Sequence, residues 1–234
     1  MAKGGDAMWK RYRVVWRFPG RLCGSVPTDR GLLEKWLTAR APERQSEGGL
    51  NLADLAAEAA GHIVQEEGQE FQSNGFEAVD GCLCMRTMTV RAHLKDCARA
   101  ISRYLHAKET GRLSFESRVK DALYYPPEDF WIRILQDVDG NEKETFEPSG
   151  WITKPITVDV RGQKYSAIKR FAYVELAVLR FTLMVLQGAG KKSLALQDLT
   201  DLMTYGGVHG YGGERGVGEG RYFFEIEEEG NDNA

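Results

Sequence analysis

Residues 206–221 read Gly206-Gly207-Val208-His209-Gly210-Tyr211-Gly212-Gly213-Glu214-Arg215-Gly216-Val217-Gly218-Glu219-Gly220-Arg221. Eight of these sixteen residues are glycine, a heavy entropic cost unless the backbone must bend sharply or approach something closely. Glycine also lets neighbouring amides converge on an anion, and Arg215 and Arg221 add charge beside such a concavity. A phosphate-binding Walker loop needs a lysine followed by serine or threonine after its last glycine, whereas Gly218 is followed by Glu219. A dinucleotide fingerprint needs a strand before it and a helix after it, the reverse of the pattern here.

The flanks of this run set its context. From Ser193 onward, Leu194, Leu196, Leu199, Leu202 and Met203 fall at helical spacing. Before them, residues 176–186 alternate: Ala177, Leu179, Phe181, Leu183 and Val185 make a fully apolar side, and Arg180 and Thr182 lie on the other. After the run, residues 221–227 predict a closing strand entered through Tyr222, Phe223 and Phe224, with an acidic, disordered tail over residues 228–234. At the other end of the chain, Tyr12, Val14, Trp16 and Phe18 alternate with Arg11, Arg13, Val15 and Arg17. That pattern predicts a half-buried strand with an arginine-rich open face.

Residues 85–107 predict the clearest helix, with Val90, Leu94, Cys97, Ala98, Ile101 and Leu105 in one arc. Arg91, Lys95, Arg99 and Arg103 recur four apart on the other side with only Asp96 near them. Like charges at that spacing repel by a few tenths of a kcal/mol per pair, and an anionic partner would relieve them. Between the two ends, helices are expected over residues 32–37 and 51–63, a polar loop over 65–78, and strands at 79–84, 113–119 and 130–135. A hairpin is expected between residues 156–160 and 165–174, tipped by Arg161, Gly162, Gln163 and Lys164. Lys164, Lys169 and Arg170 there interleave with Tyr165, Phe171 and Tyr173, so cations can hold phosphates while rings stack on unpaired bases.

Bulk composition sets limits. A net charge of −3 excludes coating of nucleic acid by bulk positive charge, but the charge is segregated into an acidic stretch over residues 42–80 and a basic one over 86–103. Of the four cysteines, Cys82 and Cys84 would share one face of a strand, which suits buried thiols; no spacing suits a metal, and no cofactor is implied. No apolar run approaches the roughly 18 residues of a membrane span, and residues 1–10 have no signal-peptide pattern. A cytoplasmic protein with no membrane partner is expected.

The order strand, helix, glycine-rich loop with arginine, final strand resembles the C-terminal signature of the RAMP superfamily, whose members build CRISPR effector complexes and process their RNA. Gly212, Gly213, Arg215, Gly216, Gly218, Gly220 and Arg221 carry the likeness; Glu219 and Glu214 depart from it. The resemblance implies an α+β, ferredoxin-like (RRM-like) antiparallel sheet with helices on one face. It would form a single domain over residues 1–234, with helical and hairpin insertions at about 20–80 and 108–170. It also implies a non-catalytic antiviral-defence subunit that coats single-stranded guide-like RNA, with copies of itself and other effector subunits as partners. The RNA-binding residues would be Arg13, Arg17, Arg91, Lys95, Arg99, Lys164, Lys169, Arg170, Gly212, Gly213, Arg215, Gly216, Gly218 and Arg221. One alternative is an RNA-processing endoribonuclease, which would need a general base among His62, His93, His106 and His209. Another is a phage or plasmid assembly protein of the same fold.

Overall fold

A computed structural model describes residues 9–27, 72–105, 114–126, 128–160, 163–187 and 193–229. The helices expected at 32–37 and 51–63, His62, His106 and residues 230–234 of the expected tail lie outside these residues, while Glu228 of that tail is strand, paired with Tyr12. In chain order come β1 (Trp9–Arg17), β2 (Arg21–Cys23), β3 (Val26–Pro27), β4 (Gln72–Gly75), β5 (Glu77–Val79) and β6 (Cys82–Arg86). Helices α1 (Thr87–Leu105) and α2 (Phe115–Ala122) follow, then β7 (Leu123–Tyr124), β8 (Trp131–Val138) and β9 (Asn141–Glu144). The chain continues through β10 (Gly150–Val160), β11 (Gln163–Glu175), β12 (Ala177–Leu186), α3 (Leu196–His209), a 3₁₀ turn (Arg215–Val217) and β13 (Phe223–Glu228).

The protein is α+β. Among the described residues, one eight-stranded antiparallel sheet follows the path β13-β1-β12-β8-β6-β5, with β7 beside β12 and β9 beside β8. Helices α1 and α2 connect β6 to β7 and β8, and α3 connects β12 to β13. The alternation in the sequence decides which face is buried. Tyr12, Val14 and Trp16 stand opposite Leu183, Phe181 and Leu179, and all six are buried in one core shared with the helices. Val90, Leu94, Cys97, Ala98 and Ile101 of α1 enter the same core.

A second, five-stranded sheet is built from both stretches expected to be insertions. The β10–β11 hairpin pairs through β11 with β2 and, in parallel, with β4, which in turn pairs with β3. The polar loop expected at 65–78 is therefore in part strand. The strand expected at 79–84 is interrupted: Cys82–Cys84 are strand in β6, but Asp80 and Gly81 both adopt positive φ (53° and 80°), the backbone of a two-residue hairpin turn that folds β6 back on β5.

Of the stretch 113–119 expected as a strand, Leu113 lies outside the described residues and the rest opens α2, where Ser114 caps the helix by accepting a hydrogen bond from the Ser117 N–H. Phe115, Arg118, Val119 and Ala122 are its buried residues, spaced for a helix and not for a strand. Arg118 is almost fully buried and pairs with Asp198 at 3.1 Å, tying α2 to the first turn of α3. The Asp198 carboxylate also accepts the Ala195 N–H at 2.8 Å.

Candidate nucleic-acid interface

The glycine-rich run is a strap, and only its second part is a loop. Gly206 and Gly207 belong to α3, where a side chain on either would collide with Tyr222 as the chain passes back over the helix. At Gly220 the φ is +70°, and a Cβ there would run into the Tyr211 carbonyl. Tyr211 and Gly220 are joined at that point by a backbone hydrogen bond of 2.8 Å. Gly213 donates its N–H to the Cys23 carbonyl, fixing the strap to β2. Of the other glycines expected to touch RNA, Gly212 and Gly218 have positive φ, while Gly216 has ordinary φ and no neighbour within 4 Å of an added Cβ.

Beneath the strap lies an aromatic cluster that sequence patterning did not connect. Trp16 stacks on Tyr222 at 4.2 Å between centroids and meets Phe181, Tyr211 and His93 edge-on. His93 is 3% exposed, with Nε2 3.1 Å from the Tyr222 hydroxyl and 3.7 Å from the Cys97 sulfur. Burial, followed by the charge of Arg215, pushes its pKa down to about 3. A neutral imidazole sealed by three rings packs the core and does not reach a bound strand. His209 lies at the cluster's margin, parallel to His93 at 6.2 Å.

The two strap arginines separate. Arg215 reaches across to Asp96 of α1 at 3.3 Å, while Arg221 lines a cavity between the last helix and strand. That cavity, about 430 Å³ between α3 and β13, is also lined by Pro19, Met203, Val208 and Phe224.

The arginine-rich face of β1 exists, but it is neutralised. Arg17 lies 2.9 Å from Glu142 and 3.2 Å from Glu225, and Arg13 lies 3.0 Å from Glu229. Arg180 from β12 doubles the hold on Glu142, whose pKa is lowered chiefly by its hydrogen bonds from Arg180. These carboxylates come from β9, β13 and the residue after it, strands with no sequence proximity to β1, so the strand's own pattern could not announce them.

The stripe on α1 is also partly occupied. Arg99 bonds Glu116 of α2 at 3.0 Å. Arg91 donates to the Lys120 carbonyl at 2.6 Å and lies over the Tyr124 ring. Lys95 has no ion pair among the described residues. Of this stripe, α2 takes up Arg91 and Arg99 among the described residues.

The β10–β11 hairpin holds the remaining cations. Its register sets Lys154 directly opposite Lys169 and Thr153 opposite Arg170, and Lys164 opposite Asp159 in the backbone pairing. Lys154 and Lys169 both lie over Phe171, at 5.5 and 4.8 Å from its centroid, and Arg170 lies 4.7 Å over Trp151. Lys154 also forms an ion pair with Glu214 of the strap. The strap's second glutamate, Glu219, reaches Arg21 at 3.6 Å. The two residues that depart from the RAMP pattern thus dock the strap onto the second sheet. Lys154 carried no sequence signal of its own; only strand register brings it to Lys169.

No protein-family model and no curated protein matches the chain. Among the described residues, no helix is long and apolar enough to cross a membrane, and no group of three His, Cys, Asp or Glu side chains could hold a metal ion.

Proposed function

We propose that this protein is a non-catalytic, cytoplasmic RNA-binding subunit of RAMP type, with a ferredoxin-like core, acting within a CRISPR-type ribonucleoprotein. Support for the core comes from the strand path β13-β1-β12-β8, with one helical crossover before β8 and another between β12 and β13, the order of a split β-α-β arrangement. The observation that carries the binding reading is the β10–β11 hairpin, where Lys169 and Arg170 point to opposite faces and each lies over an aromatic ring. Trp151, only partly buried, can offer its ring to an unpaired base beside Arg170, while Phe171 is buried and leaves Lys169 a contact to phosphate alone. The open face of the main sheet is less suited, since its arginines already hold carboxylates.

Ultraviolet crosslinking of single-stranded oligouridylate, followed by peptide mapping, tests this. Crosslinks within residues 151–173 are expected. Crosslinks confined to β1 and β12 would move the interface to the open face, and the absence of any specific crosslink would remove the function.

A further inference from the structure

We infer that Lys154 and Lys169 form a phosphate-binding pair whose resident counter-ion is Glu214, displaced when a strand's phosphate enters. This deepens the RNA-binding reading and rests on it. The two lysines are direct cross-strand partners, so their side chains leave the same face of the hairpin. Both ammonium groups approach the one Phe171 ring. Like charges placed directly opposite destabilise a hairpin, and such an arrangement persists when an anion is shared between them. Here the anion is one carboxylate, Glu214, which pairs with Lys154 and not with Lys169. Lys169 has no carboxylate partner among the described residues, and its pKa is lowered by burial and then by Lys154.

Glu214 is delivered to this place by strained backbone. It is a non-glycine residue at φ 59°, in the left-handed region, within a run otherwise rich in glycine, where its side chain has to be wanted to be kept. On one side Gly213 is pinned to the Cys23 carbonyl, and on the other Arg215 is pinned to Asp96. The carboxylate is thereby held 14% exposed against Lys154. A phosphate has more acceptor oxygens than a carboxylate and can bridge both ammonium groups, which a single glutamate on Lys154 does not do.

The test measures binding of oligouridylate, and separately of inorganic pyrophosphate by thermal shift. The proteins are the wild type, Glu214→Gln, Glu214→Gly, Lys154→Met/Lys169→Met and the triple combination with Glu214→Gln. The glycine variant suits the left-handed backbone, so it controls for folding. Removing the carboxylate is expected to tighten oligouridylate binding by about 3- to 10-fold and to enlarge the pyrophosphate shift. The double methionine variant should lose both, and Glu214→Gln should add nothing in that background. Lysine-dependent binding that is unchanged or weakened by both Glu214 variants would overturn the counter-ion role while leaving RNA binding intact. Oligouridylate affinity that ignores the two lysines would overturn the site. Pyrophosphate binding that follows the lysines and Glu214 without any affinity for oligouridylate would keep the anion site and defeat the RNA reading. A wild type that binds neither probe would overturn both.

Discussion

The His93 ring nitrogen lies 3.1 Å from the Tyr222 hydroxyl, joining helix α1 to the chain that enters the last strand, directly under the glycine strap. The imidazole is held neutral there, its pKa lowered to about 3 by burial and then by Arg215. In the unfolded chain the ring takes up a proton near pH 6.5. The folded state therefore binds fewer protons between those values, so stability is fully present above about pH 6.5 and falls as pH drops towards 3. Chemical denaturation at several pH values should show a loss approaching 1.4 kcal/mol per pH unit from this one group. His93→Gln should flatten that limb. An unchanged acid limb would mean that His93 titrates in the folded protein.

Gly220 and Gly216 make a paired test of the strap. Gly220 has positive φ and backbone in the way of a Cβ; Gly216 has neither. Gly220→Ala should cost about 2 kcal/mol or more, and Gly216→Ala should stay within about 0.5 kcal/mol. Thermal unfolding of the two variants reads the difference. Equal effects would mean that the strap follows another path.

The buried Arg118–Asp198 pair joins α2 to α3, and the same carboxylate holds the Ala195 N–H. Asp198→Ala leaves a guanidinium enclosed without its partner, so it should destabilise by about 3–5 kcal/mol. A loss below 1 kcal/mol in urea unfolding would show the pair to be solvated.

How far the sequence disclosed this molecule depends on the range of the interactions concerned. Alternation at 12–18 and 176–186 and the helical arc at 85–107 are local signals, and each corresponds to an element: β1, β12 and α1. Residues 113–119 misled because Leu113, Phe115, Val119 and the intervening polar residues alternate almost as well as they wind, and the Ser114 cap decides for helix. The end of the glycine run nearest α3 resembles loop in sequence because glycine disfavours helix, while Gly206 and Gly207 lie within the helix and let Tyr222 pass. Charge was the least legible. Arg13 and Arg17 looked available because Glu225, Glu229 and Glu142 lie far away in sequence and arrive only through strand pairing.

That neutralisation has a consequence for binding. Arg13→Ala/Arg17→Ala should leave affinity for single-stranded RNA within about 2-fold, because those arginines already hold Glu142, Glu225 and Glu229, and losing each exposed pair should cost at most about 1 kcal/mol of stability. Fluorescence anisotropy at moderate salt checks it. A loss of 10-fold or more would restore the open face as a binding surface.

The most direct test of the central claim is the salt dependence of oligouridylate affinity for the wild type and for Lys169→Ala/Arg170→Ala. Each phosphate contact on a single strand contributes about 0.7 to the slope of log K against log salt. Removing these two cations should therefore lower the slope by about 1.4 and weaken binding at low salt, with melting temperature preserved. A slope and affinity identical to the wild type in a folded double variant would contradict the assignment of the hairpin as the RNA-binding surface.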